Sequence, residues 1–296
     1  MLSLWQRLPV IVRAVLAGGV VSAAGILPWS FFVTWNQKVH ISVPWAVLPT
    51  ALYLWLFWRY LQGAGWPRST KDARRTGLRA NRLSSDVWGM ALFAGVLGLT
   101  ALLPLLGVLS RLVTLPAESQ PIRVPAEMPF VTVFLLLVMA SIVAGVVEEA
   151  AFRGYMQGAI ERRHGPIVAI LASGALFGLG HFVHHPNSVF AMMPFYLAVA
   201  AIYGGLAYLT NSILPGLVLH TGGDVFSLTR LWATGLPEWQ TSSSPPPLIW
   251  ETGTDPEFWA YLAAFIVVGA AASWAYAALA SVARPHPSAD LKFGDV

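Results

Sequence analysis

Cysteine is absent from all 296 residues, which excludes disulfides, thiolate metal sites and cysteine nucleophiles together. Any metal would have to be held by His, Asp or Glu. Charge is nearly as scarce, since Asp, Glu, Lys and Arg make up 11% of the chain against about 25% in an ordinary soluble domain. No repeat of solenoid or propeller period occurs, and no stretch has the composition of a separate soluble domain.

What fills the chain is apolar: 56% of residues are hydrophobic and the mean hydropathy is +0.63, the balance of an integral membrane protein. Taking about 20 apolar residues per crossing gives eight candidate helices. They cover residues 14–35, 43–61, 87–112, 130–152, 167–182, 189–209, 214–231 and 258–282. The expectation is an all-α, polytopic membrane helix bundle of about eight transmembrane helices, a single membrane domain over residues 1–296. The first run exceeds the roughly 7–15 residues of a signal-peptide core and reads as a retained anchor. Pro28, Pro104 and Pro194 lie inside runs, where they are expected to kink helices.

The formal net charge is +4, yet the basic residues sit in connections rather than along one face, so they signal topology and not a nucleic-acid partner. The connection 62–86 holds Arg68, Lys71, Arg74, Arg75, Arg79 and Arg82, and the turn after the fourth run holds Arg162 and Arg163. The positive-inside rule makes both cytoplasmic. Residues 36–41 offer only Lys38, residues 115–129 only Arg123 and the turn 184–188 none, which places them outside. Eight crossings then put both termini in the cytoplasm of a cell (inner) membrane protein. Trp-rich run ends, Trp239 among them, fit an aromatic belt. The basic connection reads as a solvated loop in preference to a lipid-binding segment, residues 233–256 as a loop without regular structure, and residues 283–296 as a polar tail.

Three ionisable residues interrupt the fourth run: Glu148, Glu149 and Arg153. Charges at bilayer depth cost roughly 2.5–3.5 kcal/mol each on insertion scales, so they mark function or a buried network. Glu149 and Arg153, four apart, share a helix face and can neutralise each other; Glu148 is turned about 100° away. Deprived of a dedicated partner, Glu148 suits proton transfer. Phe177 and His181 form a second pair at i,i+4, and His220 and Asp224 a third.

A hairpin turning at residues 163–166 would set Glu148 and His181 at matching depth, each about 15 residues or roughly 22 Å from the turn, so that His181 becomes the partner of Glu148. Arg153 would lie level with Leu176, near Gly174 and Gly178. His220 starts only about 9 Å into its helix and joins the others only if the turn 211–215 is sunk within protein. Gly145, Gly222 and Gly223 read as helix-packing positions, and His184 and His185 as interfacial residues.

Such a constellation is suited to activating water. Glu148 could take the proton with His181 assisting while His220 and its neighbour stabilise an oxyanion formed on an amide. Alternatively His181, His220 and a carboxylate, Glu148 or Asp224, could bind Zn²⁺ with an open fourth position. Other schemes lack their parts: there is no HExxH helix, Asp224 is the sole Asp in any predicted helix, and Ser173 has no nucleophile-elbow setting. A non-catalytic immunity or partner-binding protein, and a proton-coupled transporter relaying through Glu148, are the competing classes.

Glu-Glu-Ala-Ala-Phe-Arg at 148–153, Phe-Gly-Leu-Gly-His at 177–181 and His-Thr-Gly-Gly-Asp at 220–224 resemble, in order, the three motifs of the CPBP membrane proteases. That family includes type II CAAX prenyl endopeptidases and bacterial Abi proteins. The resemblance covers about residues 130–226 and implies an intramembrane endopeptidase. It implies Glu148 as water-activating base, His181, Glu149, Arg153 and Phe177 in support, and His220 with residue 224 as the oxyanion site. The implied partners are the bilayer and a membrane protein or peptide substrate. A cofactor is left undetermined, Zn²⁺ or none, because the family has been described as both metallo- and glutamate-dependent. Many members carry Asn where Asp224 stands, and an ionised carboxylate cannot donate to an oxyanion. Asp224 is therefore expected to orient His220, with metal ligation the next choice.

Overall fold

The computed structural model describes residues 5, 7–115, 125, 127–181, 189–236, 240 and 245–283. Among these the chain forms helices α1 (Val10–Val39), α2 (Val47–Leu61), α3 (Lys71–Leu78), α4 (Ser85–Leu112) and α5 (Phe130–Glu148). A π-helix (Glu149–Gln157) continues α5 without a break into α6 (Gly158–Gly180). Then come α7 (Met193–Thr210), α8 (Leu214–Thr234), the single turn α9 (Ile249–Thr252) and α10 (Pro256–Val282). The expected turn at 184–188, His184, His185, Arg123, Trp239 and the tail from 284 onward lie outside the described residues.

All eight apolar runs become helical. By length and composition five continuous helices can cross a membrane: Val10–Val39, Ser85–Leu112, Phe130–Gly180, Met193–Thr210 and Pro256–Val282. The third is two crossings, because Gly165 departs from helical geometry at φ 80° and the chain doubles back there. The Phe152 and Phe177 rings then meet at 5.2 Å, and Arg153 lies over Phe177, one residue from the expected level. Of the remaining two, Val47–Leu61 has only 15 residues and Leu214–Thr234 carries the polar residues of the site.

Several expectations need correction. Pro194 does not kink a helix; it opens α7, where the missing N–H would have had no intrahelical partner. The loop 233–256 includes the turn of helix Ile249–Thr252. The basic connection is not simply solvated. Lys71–Leu78 is a helix, and Arg74 and Arg79 are buried within it and at its end. Arg74 donates to the carbonyls of Tyr60 and Ala64 at 2.7 and 2.8 Å and lies over the Tyr60 ring. Arg68, Lys71, Arg75 and Arg82 do face outward.

Close approach explains where glycine is needed. A Cβ on Gly154 would stand 2.7 Å from the Gly77 carbonyl oxygen, so the π-helix and α3 touch backbone to backbone. Gly174 and Gly178 face Ala200, Met193 and Tyr196, which seats α6 against α7. Helix α10 packs along α4, with Tyr261 against Gly107. Arg111 donates to Asp255 at 2.7 Å there, and Asp255 also accepts from the Phe258 N–H, which caps α10. That backbone bond, helped by the guanidinium, holds the Asp255 carboxyl below its ordinary range.

Candidate active site

The polar residues of three helices converge. Glu149 is fully buried and takes two partners at once: Arg153 at 3.2 Å from the next turn, and Nδ1 of His220 at 3.0 Å from α8. Arg153, 1% exposed, spreads its guanidinium between the Phe177 and Tyr203 rings, 4.7 and 5.3 Å from their centroids. A buried charge is tolerated only when paired, and cation–π faces supply what one carboxylate does not. Gly216 gives α8 its closeness: a Cβ there would stand 2.7 Å from Oε2 of Glu149.

A carboxylate paired with arginine only accepts, so Nδ1 of His220 carries the hydrogen and the ring is held by Glu149. Nε2 then faces Oε2 of Glu148 at 3.6 Å and Oδ2 of Asp224 at 3.7 Å. Both separations are longer than a hydrogen bond. Glu148 and Asp224 are 20% and 29% exposed, so the space between them and Nε2 opens outward while Glu149 and Arg153 behind it are sealed.

His181 ends α6. Its Nδ1 lies 2.8 Å from the Phe177 carbonyl oxygen, and its ring stacks on Tyr196 at 4.7 Å and meets Phe177 edge-on. Phe177 therefore touches His181, Arg153 and, at 6.3 Å between ring centroids, His220. The three sequence pairs do form one cluster. One detail differs from expectation: orientation of His220 at Nδ1 falls to Glu149, while Asp224 stands beside the other nitrogen. Glu148 lies near His220, which sequence depth had made the least secure member.

His220 reaches that depth because its turn is sunk in protein. Ser212 and Ile213 are fully buried, and Asn211 adopts a left-handed conformation at φ 49°. The Ile213 N–H donates to the Arg79 carbonyl at 3.0 Å and the Ser212 hydroxyl to the Asn81 carbonyl at 2.8 Å. Arg79 closes the corner, donating to Asn211, to the Ala207 carbonyl and in a fork to Glu161.

Gly145 is a packing position, since a Cβ there would collide with Thr221. Among the described residues nothing lies within 4 Å of a Cβ on Gly222. Sequence reasoning also passed over Tyr203, whose ring lies 5.1 Å from that of His220 at an interplanar angle of 10°. A lone Tyr in an apolar run gives no signal without its neighbours.

Zn²⁺ needs about three protein donors at roughly 2.0–2.2 Å from one point. Among the described residues no group of three or more His, Asp or Glu side chains converges in that way. The described residues as arranged do not present the donor set of the ion.

Residues 130–226 match the family model for type II CAAX prenyl endopeptidase, Rce1-like. This segment belongs to the CAAX-protease (CPBP) family. The match runs from the first residue of α5 into α8 and takes in every residue of the cluster, about a third of the chain. No curated protein and no solved structure matches. The chain is thus a multi-pass membrane protein whose Rce1-like segment carries the polar site.

Proposed function

We propose that the Rce1-like segment hydrolyses a peptide bond of a membrane-associated protein or peptide, with Glu148 as the base that activates water. The observation that carries this reading is the inequality of the two adjacent glutamates. Glu149 is spent on Arg153 and His220, whereas Glu148 stands at the open edge, 3.6 Å from Nε2 of a histidine whose other nitrogen is fixed.

Glu148 takes a proton from water, the oxygen attacks the amide carbon, and the carbonyl π pair moves onto oxygen. His220, protonated on both nitrogens as an imidazolium set among the Glu149, Glu148 and Asp224 carboxylates, donates from Nε2–H to that oxyanion. On collapse the C–N bond breaks, its pair stays on nitrogen, and Glu148 returns the proton there. His181 assists from the end of α6: with Nδ1 donating to the Phe177 carbonyl, the neutral ring keeps its lone pair on Nε2. In the cell membrane both termini and the basic ends face the cytoplasm.

The test is quantitative labelling of new N-termini in membranes of cells carrying wild type, Glu148→Gln or His181→Ala. Fragments present with wild type should fall by about 10²–10⁴-fold with Glu148→Gln, the usual contribution of a general base. A fragment pattern unchanged by Glu148→Gln would remove the protease reading in favour of binding or transport.

A further inference from the structure

The geometry points to Tyr203 as a catalytic residue, its hydroxyl supplying the oxyanion donor that Asp224 cannot. This rests on the hydrolytic reading above and names a member of the same site.

The Tyr203 ring runs along α8. Its Cβ lies against Gly216 and its hydroxyl against Gly223, each 3.8 Å from where a Cβ on that glycine would stand. Between them it lies parallel to the His220 ring, so the hydroxyl reaches the middle of α8, where Asp224 and Nε2 of His220 face Glu148. It lies within electrostatic reach of Asp224, Glu149 and Arg153.

Three other tyrosine hydroxyls in the bundle are spent on backbone. Tyr53 donates to Ala24, Tyr155 to Arg74 and Tyr276 to Ile202. Tyr203 is 4% exposed, and among the described residues its hydroxyl makes no hydrogen bond. Among the described residues nothing lies within 4 Å of a Cβ on Gly222, the chain neighbour of Gly223. A phenol O–H donates as an amide N–H would, while an ionised aspartate only accepts. In the proposed step the phenol keeps its proton and donates a hydrogen bond as the carbonyl pair moves to oxygen.

The experiment follows the initial rate at which Glu148-dependent fragments form in membranes, for wild type and for Tyr203→Phe, Tyr203→Phe with Asp224→Asn, and Glu148→Gln. Phe keeps the ring on His220, and the melting temperature of each purified variant checks that the bundle is intact. Tyr203→Phe should slow the reaction about 100-fold, the scale of one lost oxyanion donor, and adding Asp224→Asn, which restores a donor, should recover about tenfold or more. Wild-type rate in Tyr203→Phe, or a slow variant that Asp224→Asn does not recover, overturns the assignment while a silent Glu148→Gln leaves the hydrolytic reading standing. If Tyr203→Phe does not fold, 4-aminophenylalanine at 203 keeps both ring and donor. A rate within about tenfold of wild type then supports the assignment, and a loss of about 100-fold in a folded protein overturns it. Fragments that persist with Glu148→Gln would remove the hydrolytic reading and this assignment with it.

Discussion

Adjacent identical residues can be told apart by what surrounds them. Glu149→Gln would leave Arg153 buried with no anion and Nδ1 of His220 with a weaker acceptor, so it should destabilise the protein by about 3–5 kcal/mol. Glu148→Gln, at a 20% exposed position, should change stability by less than about 1 kcal/mol while removing activity. Unfolding of the two purified variants in the same detergent checks the contrast, and equal losses would mean the glutamates share one structural role. This division was legible in the sequence, because i,i+4 spacing pairs Glu149 with Arg153 and leaves Glu148 aside. The bond from Glu149 to His220 was not legible. It joins residues 71 positions apart, and helical periodicity carries no information about which helices become neighbours.

At the level of elements, the wide turn between Glu149 and Gln157 is what sequence spacing alone misses. Counting at 1.5 Å per residue put Glu148 too deep for His220, but a helix closed by i→i+5 bonds packs more residues into each turn and shortens the path from Glu161 to Glu148. Together with the sunken turn at Asn211 this brings the two to one level. Nothing in Glu-Ala-Ala-Phe-Arg-Gly-Tyr-Met-Gln announces such a helix; the cue is Gly154, and it becomes visible only beside Gly77. The same contact gives a prediction. A methyl on Gly154 meets backbone oxygens of Gly77 and Leu78, which cannot move without lifting α3, whereas on Gly158 it meets a side-chain methylene of Arg79 at 3.1 Å and no backbone. Gly154→Ala should therefore cost about 1–3 kcal/mol and Gly158→Ala less, as read from their melting temperatures, with Glu148-dependent cleavage falling only for the first. Equal effects would mean that α3 does not need its seat on the π-helix.

For the molecule as a whole, the side chains that tie the bundle together at one end are also those from which orientation was inferred. Arg79 links the basic connection to Glu161 beside Arg162 and Arg163, and to the turn between α7 and α8, so these three connections share one end. Lys and Arg near membrane ends favour the cytoplasm, so the proposed topology takes that end as the inner one. The other end of α1 carries a different arrangement: Asn36, fully buried, bonds His40, Val43 and Ala46 and folds the chain into α2, with Lys38 exposed beside it. Because the chain has no cysteine, a single introduced one reports its side without interference. In intact cells a membrane-impermeant maleimide should label Lys38→Cys and spare Arg75→Cys, an exposed position on α3, until the membrane is opened. The reverse pattern would invert the protein and turn the basic end outward. Labelling of both positions in intact cells would mean that α2 does not cross. That possibility is real for a helix of 15 residues, shorter than the roughly 20 that a bilayer asks of an untilted span. Its buried face, Thr50, Leu54, Phe57 and Leu61, provides the reason to expect a crossing, because Leu54 and Phe57 pack with Met139, Val143 and Val147 of α5 over the length of the helix.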